Sequence, residues 1–126
     1  MSPIATKRRR HTFLGPAEVR LLDDWGKALR QTFPDALGAY LVGSAMTRAD
    51  YRDIDVRIIM HDKDHAKLAA SINVRRLHLM LTLWGRQVTG LNIDCQTQSM
   101  TLANSQYGGQ PRNPLGVRDA DGVEGA

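Results

Sequence analysis

The chain has 126 residues, of which 42% are hydrophobic and 24% charged, and its formal net charge is +4. That composition suits one compact globular domain, most often about 100–150 residues long, with a real core and little surface for a second substrate domain. The single cysteine, Cys95, excludes an intrachain disulfide and a cysteine-based zinc site in a monomer, and no run approaches the ~20 apolar residues of a membrane span.

Residues 1–14 read as an arm carrying Lys7, Arg8, Arg9 and Arg10. Such a run either meets phosphate or nucleic acid or is a solvated terminus. No apolar signal core follows it, because His11, Thr12, Gly15 and Pro16 intervene. With one thiol and no membrane segment, a reducing cytoplasm is the expected compartment.

Gly15-Pro16 opens a helix, since proline suits the first helical position. Val19, Leu22, Trp25 and Leu29 repeat at helical spacing, and Phe33-Pro34 closes it. Residues 38–43 form a short apolar run that predicts a buried strand ended by Gly43-Ser44. Residues 45–52 follow as a turn or short helix. From 53 to 60 the pattern alternates: Ile54, Val56, Ile58 and Met60 fall on one side, Asp53, Asp55, Arg57 and Ile59 on the other. A period of two means a strand with one apolar face.

Asp62 is placed to cap a short helix through Ala70, and Asn73 a longer one with Val74, Leu77, Leu81, Trp84 and Val88 on one stripe. Gly90 stops it. Residues 91–97 make a third strand, with Leu91, Ile93 and Cys95 facing one way and Asn92, Asp94 and Gln96 the other. Residues 101–118 are rich in Gly and Pro, and 119–126 read as a disordered tail. The expected fold is α/β, more narrowly α+β: a small mixed sheet, helices on its apolar face, and carboxylates on its polar face.

Asp53 and Asp55, two apart on a strand, leave the same face with Cα atoms about 7 Å apart. Two carboxylates so placed can share divalent ions, which favour oxygen ligands and act on phosphoryl groups. The pattern alone is weak. With 11 Asp in the chain, about one Asp-x-Asp pair is expected by chance, and three occur, at 53/55, 62/64 and 119/121. Only 53/55 lies in strict alternation, follows a strand-Gly-Ser turn, and has a further acid, Asp94, on another polar strand face. Asp62 and Asp64, flanked by His61 and His65, sit where a helix start asks for acids. Gly43 lets a phosphate approach the backbone, and nearby N–H groups and the Ser44 hydroxyl can hold anionic oxygens.

The segment Leu41-Val42-Gly43-Ser44, eight residues, then Asp53-Ile54-Asp55-Val56 resembles the signature of the polymerase-β-type nucleotidyltransferase superfamily, and Asp94 in Asn92-Ile93-Asp94-Cys95 resembles its third carboxylate. The resemblance covers roughly residues 37–97, and the short chain is similar to the minimal nucleotidyltransferases. It implies a polymerase-β-like core within a domain spanning 15–118. Asp53, Asp55 and Asp94 would be catalytic and would bind Mg²⁺ or Mn²⁺, and Asp94 would help deprotonate an acceptor hydroxyl. Gly43 and Ser44 would hold an NTP's triphosphate. Many members carry Arg directly after this Ser; Ala45 stands there instead, with Arg48 the candidate substitute.

Arg57, on the face of Asp53 and Asp55, either binds triphosphate or neutralises the two acids. The implied reaction moves a nucleoside monophosphate to a hydroxyl of RNA, protein or a small molecule and releases pyrophosphate. Adenylylation of a partner protein, as by antitoxin-type members, is one alternative; a degenerate module that binds nucleotide or RNA is another. A chain this small would draw extra contacts from the substrate, a second copy or a partner protein. Tyr107 and Arg112, in a Gly-rich segment, are candidates to stack on a base and to meet phosphate, or are simply part of a surface tail.

Overall fold

The computed structural model describes residues 12–118. The basic cluster at 7–10 and the tail at 119–126 lie outside the described residues. The last three residues of the expected arm belong to the packed body: Leu14 is buried, and the Thr12 hydroxyl and Phe13 N–H both donate to the carbonyl of Ala45.

The chain is a mixed α/β fold. In order come α1 (Pro16–Thr32), β1 (Gly38–Val42), α2 (Ser44–Thr47), β2 (Ile54–Met60), α3 (Asp62–Ser71), α4 (Val74–Thr89), β3 (Ile93–Ser99), α5 (Met100–Tyr107) and β4 (Asn113–Leu115). The four strands form one sheet in the order β3-β2-β1-β4. β1 runs antiparallel to β2 and β4, while β2 and β3 are parallel. A parallel pair needs a long crossover, and α3 and α4 supply it.

The helix boundaries follow from local chemistry. Gly15 caps α1 and its N–H donates to the Glu18 carboxylate at 2.6 Å, with Pro16 next in line. Asn73 caps α4 by accepting the Arg76 N–H, and Gly90 ends that helix in the left-handed region at φ 71°. Asp62 does not cap α3. His61 occupies the cap position, and the Asp62 carboxylate instead accepts the backbone N–H and hydroxyl of Thr101. Tertiary contact outcompetes the local cap because the first turn of α5 brings unsatisfied donors of its own.

α5 and β4 were not expected within 101–118. Ser99 accepts the Leu102 N–H and starts α5, and Gly108 follows its end. β4 is fixed to α1 by a buried ion pair: the Arg118 guanidinium donates to the Asp23 carboxylate at 3.0 and 3.2 Å, to the Pro114 carbonyl at 2.9 Å, and to the Asn113 side chain. Gly116 N–H completes Asp23 at 3.0 Å.

The apolar face of the sheet carries Leu41, Val56, Ile58, Ile93 and Cys95, which pack with Leu22, Trp25 and Leu29 of α1 and Leu81 of α4. Trp25 and Trp84 meet edge to face at 5.9 Å, so both are core residues. Val88 departs from its expected place on the inward stripe and is 48% exposed. Thr89, one residue on, takes the inward place after Gly85: it is 6% exposed and its hydroxyl donates to the Gly85 carbonyl, so the inward stripe has drifted off Val88.

α4 also closes the outer edge of β3. His78 Nε2 accepts the Thr97 N–H at 3.0 Å, the Thr82 hydroxyl bridges the N–H and carbonyl of Cys95 at 2.9 and 3.2 Å, and Arg86 Nε donates to the Ile93 carbonyl at 3.0 Å. Outward backbone groups of Ile93, Cys95 and Thr97 on this edge strand are thus met by helix side chains. Among the described residues, no helix is long and apolar enough to cross a membrane.

Candidate active site

Asp55 and Asp94 are register partners on the parallel strands β2 and β3. Both strands alternate, so both carboxylates leave the polar face side by side. Asp53 precedes β2, one residue outside it, and is held by the Asn92 side-chain amide, which donates to its carboxylate at 2.9 Å. Neighbouring Ile54 N–H donates to the Asn92 carbonyl at 2.9 Å, so Asn92 fixes the entry to both strands.

Gly43 stands where β1 turns into α2, with φ 76° and ψ −151°. Only glycine adopts that conformation readily. A second constraint acts on the same residue: Val42 pairs with Asp55, and a Cβ on Gly43 would collide with the Asp55 carboxylate. Glycine is required for the turn and for the approach of backbone to acid. Ser44 follows, half-buried, as the first residue of α2. That helix is one turn long, so its dipole adds little, and the Ser44 hydroxyl is the polar group the turn offers.

Arg57 is the buried cation of this face. Its side chain is 5% exposed, against 20% for Asp55 and 40% for Asp94. Nη1 donates to the carbonyls of Val56 at 3.0 Å and Asp94 at 2.7 Å. Nη2 lies 3.4 Å from the Asp94 carboxylate and 3.7 Å from that of Asp55. Nε is buried with no hydrogen-bond partner among the described residues. Tyr107, at the end of α5, lies over the guanidinium at 5.9 Å. Gln96 donates to the second oxygen of Asp94 at 3.3 Å.

Burial pushes the Asp55 carboxyl above its ordinary range; Arg57 pulls it down, and the charges of Asp94 and Asp53 push it further up. Asp55 therefore feels both other acids, although among the described residues no three His, Cys, Asp or Glu side chains converge as a metal cluster. The donor set still fits a hard divalent ion. All donors are oxygens, and Mg²⁺ is usually held by one or two carboxylates with water and substrate phosphate completing its shell.

Other candidates have partners of their own. Arg48 pairs with Asp50 on the exposed loop after α2, at 2.9 Å. Arg112 ties down the end of α5 through the Ala103 carbonyl and the Asn104 side chain. His65 and His78 both meet the Thr97 hydroxyl, at 3.2 and 2.8 Å, on the α4 side of β3. Burial in apolar surroundings pushes the Cys95 thiol up to about 12, so it behaves as a core residue.

Tyr107, a base-stacking candidate or a piece of surface tail from the sequence, ends a helix, α5, and lies over Arg57 beside the acids. The signal for α5 was present as a serine cap at Ser99 and a glycine stop at Gly108 around an eight-residue helical run. Comparison with protein-family models, curated proteins and solved structures gave no match.

Proposed function

We propose that the chain is a metal-dependent nucleotidyltransferase that moves a nucleoside monophosphate from an NTP to a hydroxyl and releases pyrophosphate. The observation that carries this reading is the side-by-side placement of Asp55 and Asp94 at one register of parallel strands, with the Gly43 turn in contact with Asp55. Asp53, Asp55 and Asp94 would hold Mg²⁺ or Mn²⁺. When bound, the ion supplies Lewis-acid stabilisation of the attacking and leaving oxygens.

The chain's own groups have separable tasks. The Gly43 backbone admits a phosphate that a side chain would exclude, and the Ser44 hydroxyl donates to a phosphate oxygen. Asp94, the most exposed of the carboxylates in contact with Arg57, accepts the proton of the acceptor hydroxyl. Arg57, anchored by two carbonyls, keeps Asp55 and Asp94 from repelling each other apart before substrate arrives. Tyr107 closes one side of this face. The single buried thiol suits a reducing, cytoplasmic setting.

A second reading, nucleotide or RNA binding without chemistry, is favoured by one feature: Arg57 already supplies positive charge between Asp55 and Asp94. One experiment separates the two. The protein is incubated with each α-labelled NTP, Mg²⁺ or Mn²⁺, and RNA or protein acceptors, and label transfer is followed. Asp94→Asn is expected to slow transfer about 10²- to 10⁴-fold, the usual contribution of a general base, and Asp55→Asn to abolish it. Transfer indifferent to both changes would falsify the site. Nucleotide binding with no transfer to any acceptor selects the second reading.

A further inference from the structure

In its middle turns α4 carries apolar residues on two sides. Leu77, Leu81 and Trp84 face the core, yet Leu79, Met80 and Leu83 point outward at 57%, 66% and 54% exposure. A helix with two apolar faces is one that is covered on both. Leu79 and Leu83 are one turn apart and Met80 fills the flank between them, so they form a ridge of the kind that fits a groove on another helix.

The rim of this ridge has one sign. α4 carries Arg75, Arg76 and Arg86 and no acidic residue. All three are exposed, and among the described residues Arg75 and Arg76 have no ion-pair partner. We propose that the outward face of α4 docks an amphipathic helix of a partner protein whose apolar stripe is flanked by carboxylates.

Charge selects this occupant over the others. A second copy would set arginine against arginine, on a chain of net charge +4. The segment 1–11 bears Lys7, Arg8, Arg9 and Arg10 and is repelled likewise. The segment 119–126 is acidic, but Val123 is its one large apolar residue, too little to cover three. An anionic lipid surface would meet the charge. Helices that lie in such a surface, however, commonly insert aromatic anchors, and no aromatic residue stands on this exposed face.

The probes are fluorescent peptides of about 16 residues, some four helical turns, sharing one leucine stripe and differing in Glu, Gln or Lys rims. Binding to the full chain is read by anisotropy. The Glu-rimmed peptide is expected to bind about tenfold or more tightly than the Gln-rimmed one, and the Lys-rimmed peptide not at all. The double variant Leu79→Ser, Leu83→Ser should lose that binding, with circular dichroism confirming its fold. Arg75→Glu with Arg76→Glu should shift preference to the Lys-rimmed peptide. Deletion of residues 1–11 should change nothing, which separates the ridge from the basic arm.

The proposal is overturned by affinity indifferent to the rim or to the serine changes, or by no binding up to about 100 μM. It is also overturned by self-association that Leu83→Ser dissolves, or by capture of anionic vesicles through the same three residues. None of these outcomes depends on the catalytic reading.

Discussion

Two buried arginines divide the molecule. Arg118 has its needs met by the protein: Asp23 at hydrogen-bond distance, a backbone carbonyl, and the Asn113 side chain, with both charges nearly out of solvent. Arg57 is as buried but less satisfied. Its acids stand 3.4 and 3.7 Å away, they are partly open to solvent, and among the described residues its Nε has no partner. The first arrangement is a clamp between α1 and β4. The second holds its acids only at long range, with Asp94 met by Gln96 and Arg57 at 3.3 and 3.4 Å and the Asp55 carboxylate 3.7 Å from the guanidinium, which is what a binding site needs and a clamp does not.

Removing one partner at each place sharpens the contrast. Asp23→Ala strands a buried guanidinium and is expected to cost about 3–5 kcal/mol in a denaturant titration. Arg57→Met leaves two half-exposed carboxylates facing each other, a smaller loss of about 1–3 kcal/mol. Unlike the Asp23 variant, it should gain more thermal stability from added Mg²⁺ than the wild type does, because the resident cation no longer competes. Equal Mg²⁺ shifts in Arg57→Met and wild type would remove the distinction between clamp and site.

A weaker effect is expected from pH. Burial pushes the His78 imidazolium below its ordinary range, helped by His65 and Arg57 and opposed by Asp94. The folded state therefore prefers the neutral ring, which accepts the Thr97 N–H. Stability from this group is present above the unfolded value of about 6.5 and is lost as pH falls through it toward the folded value. His78→Gln keeps an acceptor without a titrating ring, so its melting temperature should depend less on pH across that window. The smallest effect belongs to Arg48→Ala. That pair is exposed, so melting should not change, and a loss of NTP affinity would place Arg48 at the site.

Local signals made much of this legible in the sequence. The alternation at 53–60 placed Asp55 and Arg57 on one face because side-chain direction in a strand follows sequence parity alone. Asn73 and Gly90 announced the ends of α4 for a similar reason, since caps are satisfied within a few residues. The pairing of Asp55 with Asp94 was another matter. It depends on the parallel register of strands separated by two helices, which no local pattern encodes. Asp62 was misread as a helix cap because its partner, Thr101, is 39 residues away. The clamp was invisible for the same cause: Asp23 and Arg118 are 95 apart. The ridge on α4 was present as letters but was hidden by the stronger inward stripe.

The ladder between α4 and β3 behaves as a vernier. Four helical residues rise about 6.0 Å and two strand residues about 6.6 Å. Each further rung slips by roughly 0.6 Å, more than the width of the hydrogen-bond distance range. The observed rungs at His78, Thr82 and Arg86 span two such steps and all keep normal hydrogen-bond lengths, because three side chains of different reach take up the slip. A helix can therefore seal a strand edge by changing side-chain type from rung to rung, which keeps Ile93, Cys95 and Thr97 from pairing with another strand.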